Sequence, residues 1–187
     1  MSEPIILGLI QNIAILMAFA MLYENFWLRN DKPRGLLSKI FTGIVVGIIS
    51  IVLMFTPWTM MPGIVFDTRS VMLAVSGVFF GGLPTVIAMA IAAAVRFFIG
   101  GDGTWMGIAV IITSGTIGIF WLQITGKQKW QKPLNFLLLG LVVHLIMMAD
   151  TVFLPSDRML TTLQTIVIPV FLIYTPGTML LGMLLEA

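Results

Sequence analysis

The chain has no cysteine, one histidine and few charges: charged residues make up 10% of its 187 residues. Without cysteine there are no disulfides, thiolate nucleophiles or sulfur metal ligands. With His144 as its only histidine it has no H-E-x-x-H motif, and no metal site is expected. Asp150 lies six residues from His144, which is not the i, i+3 or i+4 spacing of a ligand pair on one helix face. The formal net charge is +2, and no basic run interleaved with aromatics is present, which argues against a nucleic-acid partner. There is no nucleophile–base pair, phosphate-binding lysine loop or carboxylate dyad, so this segment is not expected to be an enzyme or to carry a cofactor.

What fills the chain instead is hydrocarbon. Hydrophobic residues make up 59% and the mean hydropathy is +1.08, which no soluble domain of this size shows. Apolar segments recur over roughly 5–28, 36–56, 68–80, 84–99, 105–124, 134–154 and 160–185. The lipid bilayer is thus the partner that composition demands. The expected fold is all-α: a polytopic membrane bundle of six to seven transmembrane helices, forming one domain over 1–187. The opening MSEPII lacks the positive n-region of a cleaved signal peptide, so the first segment reads as a retained helix. The third segment is too short to cross alone. The stretch FTPWTMMPGIVFD before it, with two prolines and a glycine, is expected to dip into the membrane as irregular backbone beside a cavity. The chain stops at LLGMLLEA without a polar tail, which predicts a longer protein whose cytoplasmic output domain follows.

Charge sets the expected orientation. Arg29, Lys32, Arg34 and Lys39 lie between segments one and two, and Lys127, Lys129 and Lys132 between five and six. That places seven of the ten basic residues on one side, which the positive-inside rule makes cytoplasmic. The N-terminus is then outside and the C-terminus inside, with Glu3, Asp67, Asp102, Asp150 and Asp157 on the outer side. Small residues mark close packing: Ser70, Ala74, Gly77 and Gly81 form one stripe, with Ala88 and Ala92 on the next segment and Gly43-x-x-x-Gly47 in the second. Such stripes serve helix contacts within one chain more often than dimer contacts.

The most informative stretch is a hairpin turning at Gly81-Gly82 with one arginine on each arm, Arg69 and Arg96. Each lies 13 to 14 residues from the turn, hence at about the same depth, roughly 20 Å away at 1.5 Å per residue. Two guanidiniums at one level of a membrane suggest an anion site, because each offers a planar fork of donors to a carboxylate or phosphate. The competing reading is internal neutralisation by Asp67 and Asp102. The loop Ile99-Gly100-Gly101-Asp102-Gly103-Thr104 is either a tight turn or a second wall of that site, with Gly100 and Gly101 allowing close approach and Asp102 or Thr104 capping the next helix. Thr113 and Ser114 either donate to a ligand or bond their own helix. Asp150 is expected to meet Arg158 or Arg69, and Asn12 to tie helices together.

The block FDTRSVMLAVSGVFFGGLPTVIAMAIAAAVRFFIGGDGTWMG carries Pro62-Gly63 just before it, then Asp67-x-Arg69, Gly77, Gly81-Gly82, Arg96, Gly100-Gly101 and Gly107. With the C-terminal YTPGTMLLGMLL, it resembles the LytS/YehU-type multi-pass receptor domain over about residues 5 to 185. The resemblance implies a sensor in the bacterial cytoplasmic (inner) membrane, fused to a histidine kinase or diguanylate cyclase output and working as a homodimer. It also implies a small extracellular anion such as a carboxylate as ligand, with Arg69 and Arg96 binding it. Some relatives place a cysteine in the fifth segment, and this chain does not. An alternative is a substrate-binding subunit resembling the capture proteins of vitamin importers. A third reading is a membrane anchor that only dimerises its output domain.

Overall fold

The computed structural model describes residues 11–12, 14–19, 35–61, 64–125 and 133–186. The basic clusters over 29–34 and 127–132, together with Glu3 and Pro62-Gly63, lie outside them. The first segment is described only over 11–12 and 14–19, and there it is helical. Then follow α1 (Leu36–Phe55), β1 (Trp58–Met61), β2 (Ile64–Phe66), α2 (Arg69–Phe80), α3 (Gly82–Ile99), α4 (Thr104–Thr125) and α5 (Pro133–Ala149), which ends in a 3-10 turn, Asp150–Phe153. Next come α6 (Ser156–Pro169), a π-helical turn Val170–Tyr174 and α7 (Thr175–Glu186).

Among the described residues, five spans are long and apolar enough to cross a membrane: α1, α3, α4, α5 with its 3-10 turn, and the run Ser156–Glu186. The protein is therefore an all-α polytopic membrane bundle, with the short α2 embedded among its longer helices. Its surface fits lipid. Leu37, Phe41, Ile44, Ile48, Val52 and Phe55 are exposed at helical spacing along α1, while polar groups such as Asn12, Ser50, Ser76, Thr85 and His144 are buried inside. Trp105 is exposed beside Phe97 at the end of α3, ring centroids 6.2 Å apart, an aromatic pair of the kind found at membrane interfaces.

Glycines set the packing. A Cβ at Gly43 or Gly47 would collide with Ile87 or Ile91, so α1 and α3 run parallel with their backbones close. A Cβ at Gly77 would run into the backbone of Gly118 and Ile119, and one at Gly118 into Ala74, so α2 and α4 also run parallel. Gly107 meets Arg96 and Gly115 meets Met89, which makes α3 and α4 antiparallel; Gly140 meets Thr178 and Gly182 meets Phe136, which does the same for α5 and α7. The Gly43-x-x-x-Gly47 pair therefore packs within the chain. Gly81, at φ 79°, joins α2 to α3 in a left-handed conformation that a side chain resists. Pro84 then sits in the first turn of α3, where a missing N–H costs little.

Helix α2 is the centre of the bundle, with every residue from Arg69 to Val78 buried. At 12 residues it spans about 18 Å, well short of a bilayer core of about 30 Å. The chain before it is not wholly irregular: β1 and β2 pair antiparallel, with Trp58 opposite Phe66, and satisfy each other's backbone groups at the head of α2. Two such short strands give no periodicity of their own in an apolar sequence. Pro169 ends α6 within a continuous helical run, and the ladder shifts to π spacing just after it, as expected where a proline removes one donor.

Candidate functional site

The start of α2 is held from two sides. Asn12 accepts from Thr68 N–H (3.1 Å) and Thr68 Oγ1 (3.0 Å), and its amide donates to Thr56 O. Asn12 thus ties the first segment to the ends of α1 and the β-hairpin. Asp67 Oδ1 accepts from Arg69 N–H at 3.0 Å and faces Arg69 Nε at 3.4 Å. One carboxylate oxygen serves both the backbone and the guanidinium of the same residue. Asp67 Oδ2 and Arg69 NH1 are buried without a hydrogen-bond partner.

Arg96 lies on the last turn of α3. Its NH1 donates to Gly100 O at 2.9 Å, while Gly100 N–H returns to Arg96 O at 3.3 Å. Gly100 and Gly101, at φ 71° and 91°, let the chain reverse under that guanidinium. The rest of the Arg96 side chain lies across Gly107: a Cβ there would stand 2.6 Å from Arg96 Nε, itself buried and unpartnered. Arg69 and Arg96 are 5% and 3% exposed, so neither charge is resolved by bulk water. Helix register brings them together. The pairing of Gly77 with Gly118 puts Arg69 level with Val110 of α4, one turn below the Gly107–Arg96 contact, about 4.5 Å along the axis. The charges of Arg69 and Asp67 both act on Arg96.

A small cavity opens on Phe66, Asp67, Arg69, Gly103, Met106, Gly107, Val110 and Met147. Its internal space, about 20 Å³, suits one water in this form. The cluster around it holds two cations and one carboxylate, so it is one positive charge in excess. A buried, incompletely paired charge of this kind is costly unless something completes it.

The other expected site residues stand at differing distances from this centre. Gly100 and Gly101 hold Arg96. Thr104 donates its hydroxyl to Gly101 O at 2.7 Å and so closes the loop. Asp102 does not neutralise either arginine: it is exposed and pairs with Arg158 at 2.6 Å, linking the loop to α6. Ser114 bonds Val110 O at 2.6 Å within its own helix. Thr113 donates to Asp150 Oδ2 at 3.0 Å, so Asp150 meets α4 instead of Arg158 or Arg69. The cavity wall formed by Gly103, Met106, Gly107 and Val110 was not singled out as a group from sequence. Its signal is the helical spacing i, i+3, i+4, i+7 leading away from the glycine loop. Among the described residues no cluster of His, Asp and Glu suited to a metal is present.

Residues 20–187 match the family described as the 5TMR of 5TMR-LYT, the five-transmembrane region of LytS-type receptors. The chain belongs to that family. All five long spans of this LytS-type region fall inside the match, as do Arg69, Arg96 and the loop between α3 and α4. The family is a membrane sensor region of signalling receptors, and such a region is not itself catalytic. Comparison with curated proteins and with solved structures yields no match.

Proposed function

We propose that this LytS-type region is the ligand-binding sensor of a bacterial receptor, and that a small carboxylate bridging Arg69 and Arg96 is the signal. One observation supports this above the rest: of two buried guanidiniums only Arg69 pairs with a carboxylate, Asp67, and Arg69 NH1 and Arg96 Nε stay unpaired. A bound monoanion would bring the missing charge and accept from both donors. Gly100, Gly101 and Thr104 would fix Arg96, Asp67 would orient Arg69, and Thr113 and Ser114 would act at one remove by shaping α4. Asp102 would steady the loop through Arg158.

With the basic loops cytoplasmic, the arginines face the outer side of the inner membrane, the N-terminus lies outside and the C-terminus inside. Residues 1–187 then form one sensor domain, and a kinase or cyclase output, acting as a homodimer, would follow α7. Ligand binding must favour one of two arrangements of the bundle to carry a signal. Drawing α2, α3 and α4 together at the arginines would shift α7, which packs against α2.

The test is thermal unfolding of the detergent-purified protein with and without millimolar acetate, propanoate, succinate and phosphate, alongside Arg69→Ala and Arg96→Ala. Stabilisation by a monocarboxylate that both variants lose supports the site, since a ligand that binds only the folded state raises its stability. No stabilisation by any anion, with variants as stable as the parent, would reduce the arginines to packing groups and favour a simple anchor. Ligand delivered across a reconstituted vesicle would favour the transport reading.

A further inference from the structure

A second hollow lies on the membrane-facing side of the bundle and shares no lining residue with the cavity at Arg69. Leu16 and Met17 of the first segment form one wall; the π turn and α7, from Leu172 to Leu184, form the other. Every described lining residue is apolar, and the space between the walls is about 440 Å³. Leu172, Leu180 and Leu184 are exposed along it. Glycines elsewhere in the helices face a packed neighbour, as Gly43, Gly77 and Gly140 do. Gly177, which lines this hollow, does not: a Cβ there would meet nothing within 4 Å among the described residues.

Shape decides what fits. Leu172 and Leu184 are twelve residues apart, about 18 Å at 1.5 Å per residue. Spread over that length, the volume makes a channel of about 24 Å² in mean section. A helix about 10 Å wide needs roughly 80 Å², so a helix from a second copy is too thick to lie in it. A single extended hydrocarbon chain is thin enough, and the length is close to that of one leaflet, about 15 Å.

Charge decides which lipid. Asn12 meets Thr68 at the start of α2 and the Phe19 ring meets Phe80 at its end, so the first segment runs parallel to α2. His144 meets Ser70 and Phe136 stacks on Phe79, so α5 runs against α2; α7, antiparallel to α5, runs with it. Both walls of the groove therefore lead to one side of the membrane. By chain order, the seven basic residues of the stretches 29–39 and 127–132 fall on that side, against Glu24, Asp31 and Glu186. Excess positive charge on the side toward which an apolar channel leads suits a lipid with an anionic headgroup.

We propose that this groove binds one acyl chain of an anionic phospholipid whose headgroup lies on the basic side. The chain fills the space between the first segment and α7 and holds the two at a fixed spacing. This site is separate from Arg69 and Arg96 and does not depend on what those residues bind.

The experiment is native mass spectrometry of the whole chain in mild detergent, incubated with dioleoyl phosphatidylglycerol or dioleoyl phosphatidylcholine. The parent should retain one phosphatidylglycerol per chain, at least about fivefold more than phosphatidylcholine, because each basic residue near an anionic headgroup contributes roughly that factor. Gly177→Phe fills the groove from its open floor and should lose the lipid. Leu145→Phe, at an exposed position of α5 outside the groove, should keep it. Gly177→Leu, a smaller side chain and a better helix former than glycine, serves where the phenylalanine lowers folded yield. Retention at the parent's level in both Gly177 variants would overturn the site, as would no retained lipid in the parent. Equal retention of the two lipids by the parent would overturn the anionic headgroup. Loss of a dimer in both Gly177 variants, with lipid retention unchanged, would make the groove a contact between copies and overturn the proposal.

Discussion

The hydroxyl of Ser70, the residue after Arg69, stands 3.5 Å from His144 Nε2. On the other side of the ring, His144 Nδ1 lies 2.6 Å from Gly140 O, so Nδ1 carries the proton and Nε2 is the acceptor that faces Ser70. Thr175 Oγ1 is 3.4 Å from the same Nδ1, and the Tyr174 ring lies 5.7 Å from the imidazole. His144, fully buried, therefore touches both the first turn of α2 and the junction between the π turn and α7. If ligand binding moves Arg69, that junction is the element this contact reaches. We predict slower backbone hydrogen exchange over 170–178 when ligand binds the parent. In Ser70→Ala, ligand affinity should stay within about threefold, while the exchange response is lost. Unchanged protection in the parent would remove this route.

Gly107 should tolerate no side chain. In Gly107→Ala the new Cβ would press on Arg96 Nε, and overpacking of this kind costs about 1–3 kcal/mol. Anion-induced stabilisation should fall further than thermal stability does, because the guanidinium is what moves. Thermal unfolding with and without propanoate separates the two effects.

Gly118→Ala and Gly81→Ala should differ in kind. The first drives a methyl group into the Ala74 backbone, and neither helix can yield without parting α2 from α4. Its cost should exceed the roughly 1–3 kcal/mol of ordinary overpacking. The second has open space around it and suffers only from its backbone, φ 79° with ψ −169°, a region that essentially only glycine adopts, at about 1–3 kcal/mol. Folded yield after detergent extraction should be near zero for Gly118→Ala and close to the parent's for Gly81→Ala.

Asn12→Leu should destabilise more than its size suggests. It strands the buried Thr68 N–H, at about 1–3 kcal/mol, and the partly buried Thr56 O, at less. Proteolysis between the first segment and α1 should then accelerate. Asn12→Asp would retain the acceptor for Thr68 and lose the donor to Thr56, and should fall between the two.

The Asp102–Arg158 pair is partly exposed and should matter little for stability. Asp102→Asn is expected to cost under about 1 kcal/mol, less in high salt, and to leave anion binding by the parent arginines intact. A large loss of binding in this variant would place the loop's outer carboxylate in the site after all.

The helices were readable because lipid selects for hydropathy over a fixed length. The expected 36–56, 84–99 and 105–124 correspond to Leu36–Phe55, Gly82–Ile99 and Thr104–Thr125. The similar depth of Arg69 and Arg96, within about one helical turn, was readable as well, because a tight glycine turn converts residue counts into height. What escaped the sequence depends on lateral register, to which hydropathy is blind. Examples are the pairing of Trp58 with Phe66, the partnership of Asp102 with Arg158, the reach of Asn12 to Thr68, and the face of α4 that lines the cavity. The π turn after Pro169 escaped because a proline in an apolar run signals a disturbance without saying which ladder replaces the lost bond.

The burial of α2 on all sides has a consequence for how the protein is made. Insertion machinery recognises about 20 apolar residues, and α2 offers 12, opening on an arginine. Nothing in it can partition into lipid unaided. It must be drawn in by its neighbours, once α4 is in place to receive Gly77 and Ala74. The candidate site at Arg69 is thus embedded only once its neighbours are, and a chain that mispairs α2 with α4 would leave that arginine in water.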